Sequence, residues 1–267
     1  MFNKKNLGVG GAVINGYKYS LKNNADIIVK IDGDGQMNPN LILDIIRPII
    51  NLEADYCKGN RFFYLNHILK MPKIRIFGNA ALSFITKLSS GYWDIFDPTN
   101  GFTAIHRSSL DLIPLDKLNK SFFFESDILF RLNTIKAVVT DVPMSPIYND
   151  EVSNLNIFVA MLSFPKYHAI NFTKRIFYNY YLRGMSVSSF ELPLGLILLI
   201  FGVIFGISEW VISIYSGITA TFGTVMIASL SLLTGLQFIL SFISFDIASI
   251  PKVPLQKKLS LKHENIK

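Results

Sequence analysis

Residues 26–42 read DIIVKIDGDGQMNPNLI, and the fold follows from how this stretch divides. Asp26 to Ile31 is a short β-branched run broken by one lysine, the pattern of a buried strand. Asn38-Pro39 opens a helix, with Asn as cap and Pro at the first position. Ile42, Ile45, Ile46 and Ile49 then repeat at the helical period. Between strand and helix lies Asp32-Gly33-Asp34-Gly35-Gln36. Two carboxylates two residues apart, on a turn leaving a strand, can share one crevice and hold a hard divalent cation. Mg²⁺ or Mn²⁺ takes one or two carboxylates and keeps its other positions for water and phosphate oxygens. The glycines remove side chains where a diphosphate must approach the backbone. A calcium loop also begins D-x-D, but Met37 stands where that loop needs Gly, and Leu43 where it needs a bidentate Glu. A plain turn with solvated acids would use the same residue types.

Outward from this stretch the chain alternates. Val9 to Asn23 carries Val13, Ile14, Tyr17 and Leu21 at helical spacing. Ala54–Cys57, Thr103–Ile105 and Ala137–Val142 read as strands, and Pro72 to about Leu88 and Ser126–Leu132 as helices. Such alternation with short connections predicts an α/β layer fold with a largely parallel sheet over residues 1–155. Ligands of such sheets bind beyond the carboxyl ends of the strands. Gly8, Gly10 and Gly11 lack the full phosphate-binding fingerprint, and close packing of a helix on the sheet is their expected use.

The chain has 267 residues, 50% hydrophobic and 17% charged, with a net charge of +7. That apolar fraction excludes disorder, and the single Cys57 excludes a disulfide framework. One cysteine beside four scattered histidines, His67, His106, His168 and His263, leaves no thiolate–imidazole zinc site. Between Arg183 and Lys252 there is no Lys or Arg, and the only charges are Glu191, Glu209 and Asp246. Two apolar runs lie there, about 192–208 and 224–245, each near the roughly 20 residues a helix needs to cross a bilayer. A hairpin buried in a soluble core would have to hide two helices that are apolar all round. Trp210 and Tyr215 in the intervening segment suit the headgroup level, and the flanking Lys and Arg predict cytoplasmic ends. No apolar leader is visible in residues 1–16, so the first domain and both termini are expected in the cytoplasm of an integral membrane protein. Residues 156–185 contain KYHAINFTKRIFYNYYLR (166–183), expected as an amphipathic helix lying in the interface. Ile170, Ile176, Phe177, Tyr180 and Tyr181 would share its apolar side, with Lys166, Asn171, Lys174 and Arg175 on the wetter one. The same pattern would serve a surface helix packed on the soluble domain. A basic tail, 251–267, follows the hairpin. The positive balance thus fits a lipid surface, and no basic cluster with interleaved aromatics marks a nucleic-acid platform.

The 26–42 stretch resembles the metal-binding segment of family 2 inverting nucleotide-sugar glycosyltransferases, in the dolichyl-phosphate mannosyltransferase-like branch. The similarity continues through Lys58-Gly-Asn-Arg61, Gly78-Asn79, Asp97-Pro-Thr-Asn-Gly-Phe102, Phe124-Glu-Ser-Asp127 and Tyr148-Asn-Asp-Glu-Val-Ser153. It reaches the membrane tail in GTVMIASLSLLTGLQFIL (223–240) and Asp246. The resemblance implies a GT-A fold with Asp32, Asp34 and Gln36 around Mg²⁺ or Mn²⁺. It implies Arg61 near a substrate phosphate, and Asp97, Asn100 and Gly101 in the loop shaping the acceptor side. Glu125 and Asp127 match the region supplying a catalytic base. Residues two apart on a helix diverge, so one of them is expected to serve, Asp127 where the acceptor is a hydroxyl. The implied function is inverting transfer of a sugar from a nucleotide-sugar donor to polyprenyl phosphate. Transfer to a saccharide hydroxyl in cell-surface polysaccharide or lipopolysaccharide synthesis is an alternative, and an inactive truncated membrane fragment another.

Members of that branch begin with a further strand and helix ahead of the segment matching Asn6 to Asn23. The 267-residue chain is therefore expected to show feeble activity or none. Donor hydrolysis and transfer by this chain, compared with an N-terminally extended one, should differ strongly; equal turnover refutes the expectation.

Overall fold

The computed structural model describes residues 3, 5–64, 68–69, 73–145 and 157–264. Pro72, His67, Lys267, the 148–153 segment and the expected boundary near residue 155 lie outside them. The described chain forms two compact units, residues 1–175 with 250–267, and residues 176–249.

The first unit follows the expected alternation: α1 (Gly8–Lys22), β1 (Ile27–Lys30), α2 (Ile42–Ile50), β2 (Tyr56–Asn60), α3 (Lys73–Ser90), β3 (Thr103–His106), a short α4 (Arg107–Leu110), α5 (Phe124–Thr134), β4 (Val139–Pro143) and α6 (Ile157–Phe177). Asn38 and Pro39 start the helix as expected. The Asn38 side chain accepts from the Asn40 amide, and a 3₁₀ turn over Pro39–Leu41 leads into α2. The α/β class holds.

The strand directions differ from expectation. The sheet order is β1-β3-β2-β4, with β3 antiparallel to both neighbours and only β2 and β4 parallel. A largely parallel sheet was read from alternation alone, and alternation cannot see the reversal. β3 follows α3 and the 91–102 loop and runs against both neighbours. Among the described residues β1 pairs only with β3, and Ile27–Val29 are half-buried rather than fully buried.

Period-two alternation divides the apolar residues between the sheet faces. Tyr56 and Ile105 join Ile14, Tyr17, Phe124, Ile128 and Leu132 on one side. Cys57 and Ala104 join Ile45, Ile49, Phe102 and Val138 on the other. Gly10 and Gly11 do serve packing, but not on the sheet. A Cβ at Gly10 would meet the Asn119 carbonyl and the Phe124 side chain, and Gly11 donates to the Lys120 carbonyl at 3.2 Å.

Residues beyond the apolar runs belong to this same unit. Ile250 and Leu255 pack on the first core, and α9 (Leu255–Glu264) begins against Asp55. The fully buried Asp55 carboxylate accepts from the amides of Val138 (2.8 Å), Leu255 (2.8 Å) and Gln256 (3.1 Å). Gln256 in turn donates to the Ile49 and Ala54 carbonyls at 2.9 and 2.8 Å. What reads as a basic tail is thus a capped helix seated beside β2.

α6 continues through Pro165 into a π-helical turn over Tyr178–Leu182. The residues expected on its wetter side divide: Lys166 and Lys174 are exposed, but Asn171 and Arg175 are buried. Those expected on its apolar side divide too, Ile176 and Tyr180 being buried and Ile170 and Phe177 exposed.

In the second unit, α7 (Ser188–Ser216) and α8 (Phe222–Ala248) are 29 and 27 residues long. They overrun the expected 192–208 and 224–245, because the helix carries Glu209, Trp210 and Tyr215 in its last turns and ends only at Gly217, whose φ is +70°. At 1.5 Å per residue each is roughly 40 Å long, more than the ~30 Å hydrocarbon layer. Only 11% of each apolar window is buried, the reverse of a core hairpin. The two helices meet at glycines: a Cβ at Gly195 would sit 3.0 Å from the Gly235 carbonyl oxygen, and one at Gly202 would sit 2.9 Å from Leu232 Cγ. Small residues let helix backbones approach closely where water provides no hydrophobic drive. Within the unit Ser241 Oγ donates to Glu191 at 2.7 Å and Tyr180 Oη to Asp246 at 2.6 Å.

Replacing Asp55 by Ala leaves three amides without their acceptor, two of them buried, at a cost of about 3 kcal/mol. Limited proteolysis of the full chain should then cut within 250–264 at least tenfold faster than in the parent. An unchanged rate would show that the cap does not hold the segment.

Candidate active site

The acidic turn emerges from the carboxyl end of β1. Gly35 has φ +71°, a conformation that side chains disfavour, and Asp34 Oδ1 accepts from the Gln36 amide at 3.0 Å. Asp32 is held from behind: Lys30, the last residue of β1, places Nζ 2.9 Å from Asp32 Oδ1. The same ammonium donates to Glu125 Oε1 at 2.6 Å and to the Gly101 carbonyl at 3.1 Å. Lys58 in β2 approaches the other oxygen, Oε2 of Glu125, at 3.4 Å and donates to the Asn100 carbonyl. One carboxylate on α5 therefore ties β1, β2 and the 97–102 loop together.

The two lysines respond differently. Burial pulls Lys30 down, but the charges of Glu125 and Asp32 outweigh it and leave its pKa above the usual lysine value. Burial also pulls down Lys58, which is completely enclosed, and there it wins over the more distant Glu125, so this amine titrates below the usual value. The half-buried Asp141 carboxyl in the middle of β4 is pushed up to about 6 by desolvation, although the Phe96 amide and Asn60 Nδ2 donate to it at 3.0 and 2.8 Å.

Gly101 stands against the acidic turn. A Cβ there would run into Asp32 Oδ2 and come within 2.6 Å of Lys30 Nζ. Asn100 shapes the same loop, donating to the Gly59 carbonyl at 2.7 Å and accepting from the Phe102 amide at 3.0 Å. Arg61, just past β2, makes a two-pronged pair with Asp97, Nε to Oδ2 at 2.8 Å and Nη2 to Oδ1 at 2.9 Å.

The structure thus gathers Asp32, Glu125, Asn100 and Gly101 through contacts with Lys30 and Lys58, with Asp34 and Gln36 on the adjoining turn and the Arg61–Asp97 pair on the adjoining loop. Asp127 is not among them. It points to the other side of α5, where it accepts from the Asn119 amide (2.9 Å), Arg131 Nε (3.2 Å) and Asn171 Nδ2 (3.0 Å). Sequence reasoning missed Lys30 and Lys58. The available signal was a lysine within one strand-forming run, Lys30, and directly after the other, Lys58, since an ammonium in a covered strand requires a carboxylate partner.

Whether the turn suits a metal rests on its donor set. Asp32, Asp34 and Gln36 offer hard oxygens, and the side-chain-free position at Gly101 leaves Asp32 Oδ2 room that a Cβ would fill. No group of three or more His, Cys, Asp or Glu is clustered among the described residues. The set therefore fits a cation that keeps water and phosphate oxygens, Mg²⁺ or Mn²⁺, and not one needing a full protein cage.

Residues 1–113 match the family model described as glycosyl transferase family 2. A UDP-N-acetylglucosamine–dolichyl-phosphate N-acetylglucosaminyltransferase from Methanococcus voltae is 35% identical over 147 residues, 55% of this chain and 58% of that protein. An undecaprenyl-phosphate mannosyltransferase from Micrococcus luteus is 27% identical over 139 residues, 52% of this chain and 56% of that protein. The chain thus spans a little over half the length of these curated relatives. Among solved structures, glucosyl-3-phosphoglycerate synthase from Mycobacterium tuberculosis aligns over 63% of this chain and 55% of that chain, with TM-score 0.44 and 17% identity.

Gly101→Ala should cut any transfer activity at least a hundredfold by displacing Asp32, while the melting transition moves little. Parent-like turnover in a folded variant would show that the contact is not needed.

Proposed function

We propose that this chain, whose first 113 residues match the glycosyl transferase family 2 model, moves a sugar from a nucleotide-sugar donor to polyprenyl phosphate with inversion. The carrying observation is the acidic turn at the end of β1, braced by Lys30 and left open at Gly101, in a chain that also has two membrane-length apolar helices. The polyprenyl-phosphate acceptors named for the relatives support the same reading.

In this reading Asp34, Asp32 and Gln36 hold Mg²⁺ or Mn²⁺. When bound, the ion neutralises charge gathering on the departing nucleoside diphosphate. Lys30 and Glu125 keep Asp32 oriented. Asp97, Asn100 and Gly101 shape the acceptor side, and Arg61 steers the acceptor phosphate. A phosphate oxygen attacks the anomeric carbon on the face opposite the diphosphate. The new carbon–oxygen bond forms as the bond to the diphosphate breaks, which inverts the centre. A phosphate acceptor is already anionic at neutral pH and needs orientation more than a base. This suits Glu125, engaged by two lysines, and Asp127, whose oxygens accept three hydrogen bonds. We place residues 156–185 on the membrane surface and the catalytic domain and both termini in the cytoplasm. Both ends of the apolar hairpin lead into the first unit, in keeping with an even number of crossings.

The test uses the full chain, and an N-terminally extended one, reconstituted in vesicles with polyprenyl phosphate, a panel of nucleotide sugars and Mn²⁺. Asp34→Asn should abolish transfer and weaken Mn²⁺ binding, whereas Asp127→Asn should slow turnover less than tenfold. A loss of 10²–10⁴-fold in Asp127→Asn is the size expected for a missing base and would favour a saccharide hydroxyl acceptor. Failure of both chains to bind any nucleotide sugar would overturn the assignment.

A further inference from the structure

One carboxylate without a role in the function proposed above joins the two segments that carry Arg61 and Asp97. Asp141 stands in the middle of β4, opposite Lys58 in the parallel register of β2 and β4. Its Oδ2 accepts twice, from Asn60 Nδ2 at 2.8 Å and from the Phe96 amide at 3.0 Å. Each donor belongs to the residue immediately before one member of the ion pair. Asn60 precedes Arg61, and Phe96 precedes Asp97. A single oxygen therefore fixes both stretches of chain from which the Arg61–Asp97 pair is built.

The surrounding contacts repeat the join. Asn60 Oδ1 accepts from the Phe62 amide at 2.8 Å, which closes a turn around Arg61. The Phe62 and Phe96 rings meet edge to face with centroids 5.3 Å apart. The Arg61 amide donates to Asp97 Oδ2 at 3.2 Å, beside the two-pronged contact of its guanidinium. Such a fork tolerates little displacement, because two parallel N–H···O bonds must form at once. The two backbones that carry it must be set against each other by something else, and Asp141 touches both.

An acid at this position has a cost. Desolvation pushes the carboxyl up, and the charge of Asp97 adds to that, while the Phe96 amide, Lys58 and Asn60 pull it back. Asp141 Oδ1 is enclosed and has no hydrogen-bond partner among the described residues. An apolar side chain would avoid that penalty but would leave Asn60 Nδ2 and the Phe96 amide without their acceptor. Titratable groups kept in unfavourable surroundings concentrate at functional sites. Glu125 braces the acidic turn through Lys30, and Asp141 stands in the corresponding place for the Arg61–Asp97 side.

We propose that Asp141 is a positioning residue: by holding Asn60 and Phe96 on one oxygen, it sets Arg61 and Asp97 at the separation that binding of the acceptor phosphate requires. The identity of that phosphate rests on the function proposed above, whereas the bracing of the two segments does not.

The test compares the parent with Asp141→Ala, Asp141→Asn and Asn60→Ala, each as the full chain and as an N-terminally extended one in lipid vesicles. Asparagine at 141 keeps an oxygen that can accept from both donors and places its amide where Oδ1 has no partner. By hydrogen-exchange mass spectrometry, peptides covering 59–64 and 93–97 should exchange at least fivefold faster in Asp141→Ala, with 32–36 and 124–134 unchanged. Asp141→Asn should stay within twofold of the parent. Transfer is then measured with Mn²⁺, nucleotide sugars and a short, water-soluble polyprenyl phosphate. Asp141→Ala should raise the acceptor KM at least tenfold and move the donor KM less than twofold. Asp141→Asn should recover most of that loss, and Asn60→Ala, which severs one of the two bonds, should raise the acceptor KM by a smaller factor. Unchanged exchange at 59–64 and 93–97 in Asp141→Ala would overturn the proposal. So would an equal rise of both KM values, or an asparagine as impaired as the alanine. Absence of transfer by both parent chains would sink the proposed function, and the exchange rates would still decide whether Asp141 braces the two segments. Transfer with a parent-like acceptor KM in Asp141→Ala and Asn60→Ala would leave the proposed function standing and remove Asp141 from it.

Discussion

The candidate site depends on one buried carboxylate between two buried ammoniums. Glu125 reaches Lys30 on β1 and Lys58 on β2, and each lysine also holds a carbonyl of the 100–101 turn. Such a cluster contributes little net stability, because desolvating three charges offsets most of their attraction. Its effect is geometric. A charge enclosed there has few acceptable partners, so the relative position of two strands, a helix and a loop is set to within hydrogen-bond tolerance. The acidic turn inherits that position through the Lys30–Asp32 contact.

Order around the cluster comes from what is missing as much as from what is present. Gly101 lacks the Cβ that would displace Asp32, and Gly59 lacks the one that would strike Met144 and Asn100. On the far side of α5, Asp127 fastens the helix to the 119 loop, to Arg131 and to α6. One turn of helix thus sends a carboxylate toward the site and another into the scaffold, and their chemical identity conceals the difference.

The same logic of paired polarity recurs at larger scale. α3 and α6 bury hydroxyls, an imidazole, an amide and a guanidinium, and present rings outward. α7 and α8 expose apolar side chains along most of their length and pair Glu191 with Ser241 and Asp246 with Tyr180. α9 is drawn into the first unit by a single capping carboxylate, Asp55.

Much of this was legible in the order of residues. Hydrophobic period and the Asn38-Pro39 cap located most strands and helices, and the absence of basic residues between Arg183 and Lys252 marked the apolar hairpin. These are local properties, carried by neighbours a few positions apart. The reversed β3, the buried side of α6 and the choice of Glu125 rather than Asp127 for the site were decided by tertiary structure. Strand direction depends on which distant segment pairs, and the wet side of an amphipathic helix depends on what packs against it. A lysine's role depends on a carboxylate 95 residues away for Lys30 and 67 away for Lys58. Local sequence can state that such a charge needs a partner, but only the folded chain supplies one.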